Sequence, residues 1–496
     1  MKKNRNISIV RLWGALIVLL SACTTQPPAV DFTQEGRTPV LFPDYAGILI
    51  PPNMAPVNFS IQEDGNSYMA RIYGEKSGEI IIRRNDKSIY IPEKKWKDLL
   101  EENKGGKLYI SIAVERNNKW YQYKTIENTV SIDSIAPYLY YRDIPPTNSL
   151  WNKMAMHQRN LQSFDEDELF DNFRIGHNCM NCHTFNRNNP QEFLFHVRGN
   201  HGGTVFYRNG ELSKISFPVP ELLSDGAYCN WHPNGKLVAF AVNKIKQNYY
   251  LSGYGDKMKE VFDLESDIIF YNTEDNTVSS FPQIASAERE NLPAWSADGE
   301  KLYYVSAPPH VANMLNEEIV YSLMEVPYDI RNNRLGEPKM ILSSEEIGGS
   351  ISFPTLSPDG RYMLFCVADF GYFPVNNKSA DIYLMDLETG EYRKPDINSE
   401  ESESYVSWSG NGKWFVFSSR RLDGMTSKPF FCHISEDGTL SKPFILPQKD
   451  PLYYTIDHRN FSRPELINNK VDVSFKDLSK TIYSEPAMAT LQRDRN

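Results

Sequence analysis

Hydrophobic and polar positions alternate along most of this chain, and helical spacing is rare. Short alternating or apolar runs fall at 57–61, 68–73, 79–83, 108–114 and 120–126, separated by Asp64-Gly65, Lys76-Ser77-Gly78 and Asn117-Asn118. Period-two runs bounded by such turn residues predict half-buried strands. About half a dozen of them in roughly 100 residues predict a small β-sandwich-like domain over 41–140. One helix is expected at 92–100, with Pro92 suited to its first turn. A second helix is predicted within 149–175, where Leu150, Met154, His157 and Leu161 share one face. Residues 141–190 then read as a helical linker.

From 191 to 496 the pattern repeats. Trp231-His232-Pro233-Asn234-Gly235, Trp295-Ser296-Ala297-Asp298-Gly299, Leu356-Ser357-Pro358-Asp359-Gly360 and Trp408-Ser409-Gly410-Asn411-Gly412 align, each leading into an apolar strand. A period of roughly sixty residues, with about four strands per unit, predicts β-propeller blades. A further hairpin turning at Asn209-Gly210 adds a fifth blade, and 451–475 supplies material for a sixth. The predicted fold is therefore mostly β: a sandwich-like domain followed by a propeller of five to six blades.

Composition narrows the compartment and the partners. The chain has 496 residues and a formal charge of −10, which argues against a nucleic-acid partner. Six cysteines in this length exclude a disulfide scaffold. Lys2, Lys3 and Arg5 precede an apolar run from Leu12 to Leu20, the order of a secretory signal over 1–22. Leu20-Ser21-Ala22-Cys23 resembles a bacterial lipobox, which implies lipidation of Cys23 and a membrane anchor. Residues 23–40 are polar and proline-rich, as a flexible tether would be. Thr24 after the cysteine, with no acidic cluster, resembles an outer-membrane sorting signal and implies an anchor facing the periplasm.

One dense chemical motif stands at Cys179-Met180-Asn181-Cys182-His183. Cys-x-x-Cys-His is the attachment pattern of c-type haem: Cys179 and Cys182 would form thioethers and His183 would ligate iron. That predicts one covalent haem c, with His196 as a sixth-ligand candidate beside His201, Met154, Met156 and His157. Other occupants of the motif are a Cys179–Cys182 disulfide, a redox dithiol and zinc, for which adjacent Cys182 and His183 are awkward. Cys229, Cys366 and Cys432 read as buried free thiols, and His232 and His433 as core hydrogen-bonding residues. No nucleophile elbow, metalloprotease helix, P-loop or Rossmann fingerprint is present.

The W-S-x-D-G units resemble the repeats of TolB-type propellers. With the lipobox, IPPNMAPVNF and the Cys-x-x-Cys-His segment, the chain resembles bacterial TolB-like lipoproteins, often labelled as cytochrome c biogenesis proteins. The function expected is a periplasmic, lipid-anchored monohaem protein in electron transfer or redox sensing. Its propeller would dock a redox partner or another envelope protein. The alternative is a haem-free envelope-binding scaffold.

Overall fold

The computed structural model describes residues 31–145, 153–219, 221–249 and 259–492. The expected signal segment 1–22 and the expected lipidation site Cys23 lie outside them. Among the described residues no helix is long and apolar enough to cross a membrane.

Among the described residues, five blades of four or more strands are built mainly from consecutive antiparallel strands and a sixth from distant ones, and six inner strands face one axis. The inner strands are Cys179–Phe185, Ala227–Trp231, Arg289–Trp295, Ser350–Leu356, Glu403–Trp408 and Asn460–Ile467. Each is the neighbour of the next, and the last contacts the first, so the ring is closed. In the first five blades the inner strand precedes its own outer strands in sequence. The sixth is composite. Asn460–Ile467, near the C-terminus, pairs with Tyr138–Ile144, which continues through Ala155–Asn160 to Glu166–Asp171. The protein is thus mostly β with a six-bladed propeller closed by strands from distant parts of the chain.

Two expectations are corrected here. The helix within 149–175 does not form in the described part of that span: Met156 and His157 lie in the strand Ala155–Asn160, with Met154 just before it. Of the residues that share the expected helical face, Leu150 lies outside the described residues, Met154 precedes the strand, Leu161 follows it and only His157 is within it. The strand is central in its blade and buries polar His157, Gln158 and Arg159, so it shows no alternation of apolar and polar positions. The helical linker of 141–190 is accordingly blade structure. The propeller also starts earlier than 191, since the motif strand Cys179–Phe185 is the inner strand of the first blade.

Tight hairpins recur where the repeats predict them. Gly235, Gly299, Gly360 and Gly412 all have φ between 67° and 79°, open to glycine without steric cost. The repeat serine ties the turn: Ser296 Oγ bonds Asp298 Oδ1 at 2.5 Å and accepts from Lys301 N at 2.9 Å, and Ser357 repeats both bonds. Trp231, Trp295 and Trp408 are buried between blades. The segment after the ring straps its outside, Ala487–Met488 and Thr490–Gln492 adding in parallel to the outer edges of the first and second blades.

The N-terminal region forms a seven-stranded sheet and a three-stranded sheet. Phe32–Gln34, expected in the tether, pairs with Lys119–Gln122 in the larger one. Pro92 caps the helix Glu93–Glu102, which buries Trp96, Leu99 and Leu100. This region shares one core with the fourth and fifth blades. Polar bonds join them too: His433 Nε2 lies 2.9 Å from Asp133 Oδ2, and Trp414 Nε1 donates to the Asp133 carbonyl at 2.9 Å.

Candidate functional site

Each inner strand carries a bulge at the same height. The register slips beside Cys182, Tyr228, Leu292, Phe353, Tyr405 and Arg463. All six have positive φ, between 43° and 53°, and none is glycine. A bulge adds one unpaired residue and re-aims its side chain. Left-handed backbone at an L-residue costs roughly 1–2 kcal/mol, and such strain gathers where a fold positions groups for a purpose.

The bulges surround an axial cavity of about 580 Å³, whose wall includes Tyr228, Leu292, Phe353, Tyr405, Arg463 and Glu465. Glu465 Oε1 accepts from the Phe185 N–H at 2.9 Å. Burial pushes this carboxyl up to about 7, against the pull of Arg463. Burial likewise holds the Tyr405 phenol up at about 12 and raises Tyr228 further, so both stay protonated. Arg463 lines the same wall, and among the described residues its guanidinium has no hydrogen-bond or ion-pair partner.

The motif residues occupy one blade strand. Cys179 is buried, its thiol raised by burial, with the Asn181 Nδ2 group 3.1 Å from its sulfur. Arg142 donates to the Met180 carbonyl at 2.6 Å, to Asn181 Oδ1, and to Ser462 Oγ at 3.1 Å. Cys182 is half-buried in the bulge ring, and its carbonyl accepts from the Cys229 thiol at 3.3 Å. Cys179, Cys182, Cys229, Cys366 and Cys432 are all free, so the Cys179–Cys182 disulfide is not formed.

His183 is 1% exposed and sits edge-on to Tyr140 at 4.8 Å. Its Nε2 lies 2.9 Å from the Arg463 carbonyl. A carbonyl only accepts, so Nε2 carries the hydrogen and has no lone pair for iron. Burial keeps the ring neutral, its pKa well below the usual value. His196, 5% exposed, bonds Thr204 Oγ1 through Nδ1 at 3.2 Å, and burial lowers it to about 3. Neither ring contacts the other, and among the described residues no three His, Cys, Asp or Glu side chains gather as metal ligands. The haem geometry expected of Cys179, Cys182, His183 and His196 does not fit this arrangement.

No family model matches the chain, and no curated protein matches it. Among solved structures it is similar to an oligogalacturonate lyase in complex with manganese, at 13% identity over 63% of this chain and 74% of the lyase, TM-score 0.34. It is similar to a Mycobacterium tuberculosis puromycin-hydrolyzing peptidase at 10% identity over 62% of this chain, TM-score 0.35, spanning only 54% of the peptidase. A third is the Dos1 propeller, at 12% identity over 64% of this chain and 65% of that one, TM-score 0.30. The six-bladed ring is established by this chain's own strand pairing and not by these likenesses.

Arg463 and Glu465 escaped the sequence reading, although a signal for them exists. Once Leu292-Pro293-Ala294-Trp295-Ser296-Ala297-Asp298-Gly299 is seen as the repeat, Arg463-Pro464-Glu465-Leu466-Ile467-Asn468-Asn469-Lys470 aligns with it. So does Cys182-His183-Thr184-Phe185-Asn186-Arg187-Asn188-Asn189. The second half of the haem-like motif is therefore a blade repeat with its tryptophan and turn residues replaced.

Proposed function

We propose that the protein is a haem-free binding propeller of the bacterial envelope, tethered through a lipid on Cys23, with the axial cavity as its ligand site. The observation that carries this reading is the His183 Nε2 to Arg463 carbonyl bond. It uses the nitrogen an iron would need, and it joins the first blade to the closing strand. Cys179-x-x-Cys182-His183 is then blade strand and ring closure rather than a cofactor anchor. Blade edges and loops offer docking surface for an envelope protein, and the net charge of −10 disfavours nucleic acid.

The monohaem electron-transfer reading has one observation in its favour, the Cys179-Met180-Asn181-Cys182-His183 motif itself. A haem stain on a denaturing gel, with a pyridine haemochrome spectrum, separates the two. The protein is expected to be colourless when made in a host competent for c-type maturation. Haem that survives denaturation and disappears in Cys179→Ala/Cys182→Ala overturns the binding-propeller reading. Mass spectrometry of the mature N-terminus tests the tether: the expected peptide begins at Cys23 and carries acyl chains.

A further inference from the structure

Arg463 is the one permanently charged member of the left-handed ring. Its guanidinium offers five donors in a planar fork, yet among the described residues nothing accepts from it. Glu465 acts on it through space without a hydrogen bond, so the fork's donors are left open to a ligand. The cavity wall holds three charged residues: Arg463, Glu465, and Arg187, which is exposed with Nη2 3.4 Å from the Ala297 carbonyl. With Glu465 near the midpoint of its titration at neutral pH, that wall bears between one and two net positive charges inside a chain of formal charge −10. Arg142 and Arg198 add positive potential, acting on Tyr405 and Tyr228 respectively. The other ring members that line the cavity, Tyr228, Leu292, Phe353 and Tyr405, are aromatic or aliphatic, and about 580 Å³ is the size of a small-molecule site.

We propose that the axial cavity binds a small organic monoanion, its carboxylate paired with Arg463 and its planar or apolar body against Tyr228, Phe353 and Tyr405. This rests on the binding-propeller reading and supplies its ligand class. A single negative charge lies within what the wall balances, and inorganic phosphate has no planar body to lie against Tyr228, Phe353 and Tyr405. The carboxylate suits the guanidinium fork, which pairs with it through two parallel bonds.

Benzoate is the probe, with benzamide as its neutral isostere, added to the full lipidated protein in detergent. Binding is followed by the fluorescence of Trp231, Trp295 and Trp408, which border the cavity, and by the melting temperature. Benzoate is expected to bind with a Kd of about 1 mM or below, and benzamide at least roughly tenfold more weakly. Arg463→Gln is expected to weaken benzoate by roughly tenfold to a hundredfold while leaving benzamide unchanged. Arg463→Lys, which keeps the charge but not the fork, should fall between. Equal affinity for benzoate and benzamide overturns the proposal. So does no binding of benzoate, benzoate binding unchanged in Arg463→Gln, or inorganic phosphate binding as tightly. The comparison of two probes on the wild type stands even where a variant fails to fold. A haem-bearing protein would sink the preceding reading, whereas a colourless protein indifferent to benzoate sinks this one alone.

Discussion

Leu292 has φ 53° and is followed by a proline, a position where side-chain shape matters more than hydrophobicity. A β-branched residue is disfavoured at positive φ, while methionine keeps an unbranched Cβ and nearly the same volume. Leu292→Ile is therefore expected to destabilise the protein by about 1–2 kcal/mol more than Leu292→Met. Denaturant unfolding of the two variants measures the difference, and equal stability would mean that the left-handed bulge is not what holds this residue. The thiols make a second prediction at this scale. Cys182 is half-buried, while Cys179, Cys229, Cys366 and Cys432 are buried. Native Cys182→Ser should lose one fast-reacting thiol relative to wild type in a chromogenic disulfide assay, and Cys366→Ser should lose none.

Among elements, the inner strands decide what was legible in the sequence. Four of the six announced themselves through a tryptophan or leucine followed by a serine- or histidine-led Asx-Gly turn. Those turns have a physical requirement, a positive φ, that few residues meet, so the repeats could be placed without any structure. The first and last inner strands kept the backbone geometry but not the turn residues: Asn188-Asn189 and Asn469-Lys470 stand where the others have Asx-Gly. Cys182-His183 then read as chemistry, and Arg463 as nothing. The strand Ala155–Asn160 was hidden for a different reason: its buried positions include polar His157, Gln158 and Arg159, so no apolar alternation marks it. The site was less legible than the fold because its members come from six separate strands, and no local spacing records a ring. Closure by Asn460–Ile467 predicts how truncations behave. Ending the chain after residue 486 removes only two edge strands, and the melting temperature should change little. Ending it after 459 leaves Tyr138–Ile144 without its inner partner, and cooperative unfolding should be lost in calorimetry.

The whole molecule carries several carboxyls that burial keeps hard to ionise. Asp263 lies in the core, accepting from Asn243 Nδ2 at 2.9 Å, Asn291 Nδ2 at 2.5 Å and the Tyr321 hydroxyl at 3.2 Å, and burial raises it from 3.8 to about 6. Glu290 and Glu403 rise to about 7 for the same reason. For an acid whose folded pKa exceeds its unfolded one, the folded state binds the proton more tightly. Its stabilisation is full below the unfolded value and is lost as pH climbs through the folded value. For Asp263 that window runs from about 4 to about 6. Buried His196, lowered to about 3, acts in the opposite sense and loses stability as pH falls below about 6.5. A variant isolates the carboxyl: between about pH 4.5 and pH 7.5 the melting temperature of wild type should drop relative to Asp263→Asn. Parallel curves would place the titration elsewhere.

A ring finished by its C-terminal strand also has a schedule. His183 emerges early from the ribosome, but its carbonyl partner at Arg463 lies 280 residues behind it. At about 5–20 residues per second, that gap lasts roughly 15–60 s. Throughout that interval Cys179, Cys182 and His183 belong to an unfinished edge, open to enzymes that act on thiols in nascent chains. Afterwards Cys179 and His183 are buried, so the order of synthesis sets a deadline for chemistry at those two positions, while half-buried Cys182 stays within reach.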